Sequence, residues 1–166
     1  MESTLYKKNY PNWDYEEIIN EIEIFLKIYK KRPISNNKGG MKFPHAFGLY
    51  FILKKINPLL VIESGVFKGQ STWIIENTLP NAEIICLDID LSKREYISKK
   101  AKYSNLDFKF QDLSKIPENT LVLFDDHVNH FNRIKEAYFF GIKNIILDDN
   151  YKSNSGDFQT IKQSFE

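Results

Sequence analysis

Carboxylates, amides and an imidazole recur at one kind of place along this chain, immediately after short apolar runs. Glu63 follows the run 59–62 and Asp88 closes the run 83–87. Gln111 and Asp112 follow 107–110, Asp125, Asp126 and His127 follow 121–124, and Asp148, Asp149 and Asn150 follow 144–147. Side chains of these types can accept ribose hydroxyls, ligate a hard cation or take a proton near neutral pH. Singly, each reads as a turn former or helix cap. Five such sets in register read instead as one polar crevice, because the C-terminal ends of parallel strands share an edge.

The stretch from Leu59 to Thr72, LLVIESGVFKGQST, gives that crevice its centre. Its apolar run suits a strand buried on both faces, Gly65 and Gly69 allow a tight turn before the hydroxyl pair Ser71 and Thr72, and Trp73, Ile74 and Ile75 begin a helix. Backbone can approach a ligand closely at such a turn, and the helix amides point at it. A phosphate-binding Walker loop needs Lys after its last glycine, and Gln70 stands there. The dinucleotide fingerprint needs G-x-G-x-x-G, whereas this turn has three residues between Gly65 and Gly69. Nucleoside triphosphates and pyrophosphate cofactors are therefore disfavoured. Asp88, at the end of the next strand, still suits a ribose.

The elements that must position these groups alternate along the chain. An amphipathic stripe (Ile18, Ile22, Phe25, Leu26, Tyr29) predicts a helix over 13–31. Lys30, Lys31 and Arg32 close it, as cations favoured at a helix C-terminus or as a basic patch, and Pro33 ends it. The polar loop 35–40 is either mobile or wraps a ligand. A helix over 44–56, with His45 as a surface or capping residue, leads to the strand at 59–62 and a helix ending near 78. Then follow a strand at 83–88, a helix at 92–102, strands at 107–110 and 121–124, a helix at 131–140 capped by Gly141, and a strand at 144–147. Residues 151–166 show no strand pattern. This alternation implies an α/β domain with a doubly wound, mostly parallel sheet of about five strands flanked by helices. One domain over 1–166 is expected: an N-terminal arm and helix (1–43), a ligand-binding core (44–150) and a tail (151–166).

Composition narrows the partners. The 166 residues are 42% hydrophobic, enough for one core, and the net charge of +1 supplies no bulk attraction to nucleic acid or anionic membrane. Cys86 is the single cysteine, so there is no disulfide framework. The N-terminus lacks a signal-peptide core, and no apolar run approaches the ~18 residues of a membrane span. A cytoplasmic protein with a small-molecule partner, and neither nucleic acid nor membrane, is expected.

Glu63-x-Gly65-x-x-x-Gly69-x-Ser71, followed by Asp88, resembles the cofactor-binding motifs of class I S-adenosylmethionine-dependent methyltransferases, a Rossmann-like family. The resemblance is nearest to small-molecule O-methyltransferases of the catechol type and to the cephalosporin-hydroxylase-like group. With the latter, Gly39-Gly40-Met41-Lys42-Phe43-Pro44, Pro58 and Glu63-Ser64-Gly65 are similar. It spans roughly 36–150. It implies that Glu63, Ser64 and the Gly65–Gly69 turn hold the methionine moiety, Ser71 its carboxylate, Asp88 the ribose, and Gln111 with Asp112 the adenine. It also implies Mg²⁺ held by Asp125 or Asp126 with Asp149 and Asn150, and a general base at His127 or His130.

The family continues past its fifth strand with a helix and an antiparallel hairpin, for which 16 residues after Asn150 leave little room. Either the chain is a fragment of a longer protein, or it covers that strand by another route such as a homodimer. The resemblance thus implies O-methylation of a small hydroxylated acceptor. Its alternatives are a non-catalytic nucleoside-binding domain and, less favoured, a metal-dependent hydrolase.

Overall fold

A computed structural model describes residues 14–148 and 161–165. The chain divides into two compact units, residues 1–31 and 32–166. The first holds helix α1 (Tyr15–Tyr29), started by Asp14, whose carboxylate accepts the Glu16 amide hydrogen, with Glu16 and Glu17 favourably placed in its first turn.

The second unit holds α2 (Phe43–Ile56), β1 (Leu60–Ser64), α3 (Gln70–Thr78), β2 (Glu83–Leu87), β3 (Ala101–Ser104), β4 (Thr120–Phe124), α4 (His130–Phe139), β5 (Asn144–Leu147) and α5 (Ile161–Phe165). The strands form one sheet in the order β3-β2-β1-β4-β5, and every pairing is parallel. The sheet order reverses at β1 and β4, the switch point where open α/β sheets bind ligands.

β1 and β4 are buried at every position, as strands covered on both faces must be. Strand alternation sends Leu60, Ile62, Val122 and Phe124 to one face, where they pack with Leu87, Phe108 and Ala137 of α4. Phe108 meets Phe124 edge-to-face, with ring centroids 4.9 Å apart, a geometry adding about 0.5–1.5 kcal/mol to the burial. Val61 and Glu63 go to the opposite face, where Glu63 meets Thr72 of α3. No described helix is long and apolar enough to cross a membrane.

The third strand departs from expectation. Residues 92–102 do not form a helix, and 107–110 do not form a strand. A 3₁₀ turn at Leu91–Lys93 is followed by extended chain into β3, and a second 3₁₀ turn occupies Phe108–Phe110. Local hydrogen bonds divert the donors that a helix would need. The Glu95 and Tyr96 amides donate to the Lys68 carbonyl, and Ser98 Oγ accepts from the Lys100 and Ala101 amides. Phe108 is fully buried and Phe110 is exposed on this second 3₁₀ turn. The other elements fall within two residues or so of their expected bounds.

Candidate functional site

A cavity of about 530 Å³ opens at the C-terminal edge of the sheet, within the 300–1,000 Å³ usual for small-molecule sites. Its wall includes Ser64 and Gly65 after β1, Asp88 and Ile89 after β2, Leu106 and Asp107 after β3, and Asp125, Asp126 and His127 after β4. Gly39 and Gly40 from the loop before α2 and Arg133 of α4 also reach it.

The glycine turn is held from below. Asp88 Oδ2 accepts the amide hydrogens of Val66 and Phe67 at 2.8 and 2.9 Å, and Oδ1 accepts that of Asp90 at 2.8 Å. Gly65 sits at φ +94°, and a Cβ there would lie 1.9 Å from the Asp125 carbonyl oxygen, so the chains leaving β1 and β4 touch through this residue. At Gly69, φ +89°, a Cβ would lie 2.5 Å from the Tyr96 carbonyl oxygen, also too close for a side chain. Lys68 Nζ donates to the Asn36 carbonyl at 2.8 Å, joining the 35–40 loop to the turn.

Glu63 is fully buried and does not line the cavity. Its Oε2 accepts from the Thr72 hydroxyl at 2.5 Å and the Cys86 thiol at 3.2 Å. Burial raises its pKa from 4.5 to about 6 against the opposing pull of the Ser71, Thr72 and Cys86 donors, and the Asp88 charge adds to the rise. Burial and the neighbouring Glu63 push the Cys86 thiol up as well. Ser71 and Gly69 also lie outside the cavity wall, Ser71 being buried in the first turn of α3.

At the β3 end, Gln111 and Asp112 do not line the cavity. Gln111 Nε2 donates to the Leu106 carbonyl at 2.9 Å, and Asp112 accepts from the Ser114 amide and hydroxyl at 3.2 and 2.6 Å. Leu106 and Asp107 occupy the wall instead. Two hydrogen bonds from Arg133 hold the Asp107 carboxyl below its usual range.

At the β4 end, Asp126 Oδ2 accepts from Ser64 Oγ at 2.5 Å and lies 2.8 Å from Arg133 Nη2, while Oδ1 accepts the Val128 amide hydrogen. His127 lines the cavity with a left-handed backbone, φ +55°, uncommon for a residue other than glycine. His130 opens α4, is buried, does not line the cavity, and has no hydrogen-bond partner for Nδ1. His45 Nδ1 lies 2.9 Å from Asp148 Oδ1, a hydrogen bond between the first turn of α2 and the end of β5. Asp149 and Asn150 lie outside the described residues. Among the described residues no group of three His, Cys, Asp or Glu side chains is placed to hold a metal ion.

Asp107 and Arg133 have no site role in the sequence reading, and the pairing of His45 with Asp148 is not foreseen there. Arg133 looks like one more charge on an amphipathic helix, and only the packing of α4 against the sheet turns it inward.

No protein-family model and no curated relative matches the chain. Solved structures do match. CmcI in complex with S-adenosylhomocysteine (SAH) superposes with a TM-score of 0.59 at 17% identity, over 85% of this chain and 78% of CmcI. The SAH-bound methyltransferase PaMTH1 of Podospora anserina gives 0.56 at 12%, over 84% and 73%. The plantazolicin methyltransferase BpumL, bound to a monoazolic desmethyl analogue and SAH, gives 0.53 at 19%, over 80% and 60%. The chain has the class I methyltransferase fold. CmcI has also been solved with Mg and S-adenosylmethionine. In this fold, the cavity described above lies where β1 and β2 present the glycine turn and Asp88.

Proposed function

We propose that the protein is an S-adenosylmethionine-dependent methyltransferase acting on the hydroxyl of a small molecule. The observation that carries this reading is the convergence of Asp88, the Gly65 turn and His127 on one 530 Å³ cavity at the switch point of the sheet. The cavity fits an adenosyl amino acid in size. Carboxylate groups suit the ribose hydroxyls, and exposed apolar Ile89 and Leu106 suit a flat base.

Bound S-adenosylmethionine supplies an electrophilic methyl group on a cationic sulfur. Asp88 would accept a ribose hydroxyl with the one lone-pair site that its three amide donors leave over. Gly65 and Phe67 line the cavity beside it. Carboxylates of Asp125 and Asp126 favour a cationic ligand over a neutral one by their charge. His127 would take the proton from the acceptor hydroxyl, leaving its oxygen to accept the methyl group that bound S-adenosylmethionine would supply. Most of the acceleration comes from holding the two reactants in line.

Mg²⁺ assistance is a further part of this reading. Asp126 is held by Ser64, Arg133 and the Val128 amide; Asp125 or Asp126 would donate after β4, together with Asp149 and Asn150. Hard oxygen donors of this kind suit Mg²⁺.

Calorimetric titration with SAH tests the cofactor. Saturable binding that Asp88→Ala abolishes in a folded protein is expected; no binding by the wild-type protein at millimolar SAH overturns the assignment. Repeating the titration with Mg²⁺, in wild-type protein and in Asp125→Asn, tests the metal. A heat of Mg²⁺ binding that Asp125→Asn leaves unchanged removes Asp125 from the site.

A further inference from the structure

Arg133 is built into the cavity wall more firmly than any step of methyl transfer requires. Its side chain is 2% exposed, yet it carries a charge into the cavity lining. Nη1 and Nη2 donate to Asp107 Oδ1 and Oδ2 at 3.0 and 2.8 Å, a two-point grip. Nη2 also lies 2.8 Å from Asp126 Oδ2, and Nη1 donates to Glu136 Oε2 at 2.7 Å. The guanidinium sits 5.9 Å from the Phe108 ring centroid and 5.5 Å from that of Phe124.

Asp107 and Asp126 belong to different strand ends, although their carboxylates meet on one Arg133 nitrogen, Nη2, at 2.8 Å each. Asp107 follows β3 and Asp126 follows β4, strands three places apart in the sheet, or about 14 Å at ordinary strand spacing. Between them lie β2 and β1, which carry Asp88 and the glycine turn. Backbone pairing does not join the two ends directly; the guanidinium does. Asp126 passes the connection on to Ser64 at the end of β1 through a 2.5 Å hydrogen bond. Three partly buried carboxylates meet one buried cation, and a buried cation without its partners is costly.

We infer that Arg133 is a positioning residue that couples the strand ends after β3 and β4 in the cavity wall, holding Asp107 and Asp126 in one network so that ligand affinity depends on both. The ligand in this inference is the one assigned under Proposed function; the coupling itself is a property of the residues alone. Lysine cannot replace the arginine, because a single ammonium cannot grip Asp107 at two points while reaching Asp126.

The experiment has two arms. The first is a double-mutant cycle in thermal unfolding, with Asp107→Asn and Asp126→Asn made singly and together, in the wild-type background and in Arg133→Met. Non-additivity in the wild-type background that vanishes in Arg133→Met is expected. If Arg133→Met does not fold, Arg133→Lys serves as the background, and reduced non-additivity is expected there. Additive effects in both backgrounds overturn the inference.

The second arm is calorimetry with SAH and with adenosine alone. Asp126→Asn, made after β4, is expected to weaken adenosine binding by several-fold in the wild-type background and not in Arg133→Met or Arg133→Lys. Arg133→Lys itself is expected to weaken SAH roughly tenfold with no rescue relative to Arg133→Met. SAH affinity within twofold of wild type in a folded Arg133→Lys overturns the positioning role. Failure of the wild-type protein to bind SAH overturns the functional reading, and the unfolding cycle then decides the coupling by itself.

Discussion

Asp88 Oδ2 accepts the Val66 amide hydrogen at 2.8 Å, so the carboxylate that closes β2 is fastened to the turn that leaves β1. The same oxygen takes the Phe67 amide, and Phe67 has the left-handed φ of +46° that aims its N–H there. One side chain thereby shapes the turn and presents itself to the cavity.

Replacing Asp88 tests both duties. Asp88→Asn retains an oxygen for the turn amides but loses the charge. We expect it to stay folded and to bind SAH at least tenfold more weakly, a cost of roughly 1.5–3 kcal/mol for a hydrogen bond to a charged acceptor. Calorimetry beside a thermal melt separates the two. Unchanged affinity in a folded variant removes Asp88 from the ligand.

Gly65→Ala places a methyl group against the Asp125 carbonyl, where a Cβ has only 1.9 Å, on a backbone at φ +94°. Neither chain can yield, because β1 and β4 pair along their full length. A loss of about 3 kcal/mol or more is expected from overpacking and backbone strain together. Urea unfolding measures it, and wild-type stability would show that the two strand ends do not meet as described.

Glu63 makes stability depend on pH in a particular direction. Its pKa rises from 4.5 to about 6 on folding, so the folded state holds the proton more tightly than the unfolded chain. The stabilisation is full below pH 4.5 and is lost as pH rises through 6, amounting to about 2 kcal/mol. Glu63→Gln keeps an acceptor for Thr72 and Cys86 and removes the charge. The stability difference between variant and wild type, followed by urea unfolding from pH 4 to 8, should move in favour of the variant across that window. A flat difference would mean that Glu63 titrates as it does in the unfolded chain.

His127→Ala should lower kcat by about 10²–10⁴, the usual contribution of a general base, while leaving SAH affinity near wild type. His130→Ala, by contrast, removes a buried ring that does not line the cavity, and its main effect should be on the melting temperature. Measuring kcat and melting temperature for both variants distinguishes them. Equal loss of kcat from the two would place the base elsewhere.

Much of the fold was legible because it rests on local patterns. The apolar runs of β1 and β4, the glycines at Gly65 and Gly69 and the helix-ending Gly141 act within a few residues of themselves. The β3 region was misread because its outcome depends on distant partners. Lys68 takes the Glu95 and Tyr96 amides, and Phe108 turns inward to meet Phe124. No periodicity within 92–110 records either contact.

The sequence by itself determined that polar groups would gather at one edge of a parallel sheet, with Asp88 and the Gly65 turn together, because strand ends and glycine turns are local events. Only the tertiary structure decided which of those groups face the cavity. Strand alternation turns Glu63 beneath α3 and Ser64 toward Asp126. The packing of α4 carries Arg133 to Asp107, a residue 26 positions away along the chain. A side chain's face follows from the register of its strand, and a buried ion pair follows from which helix covers which face; both are set by contacts between elements rather than within them.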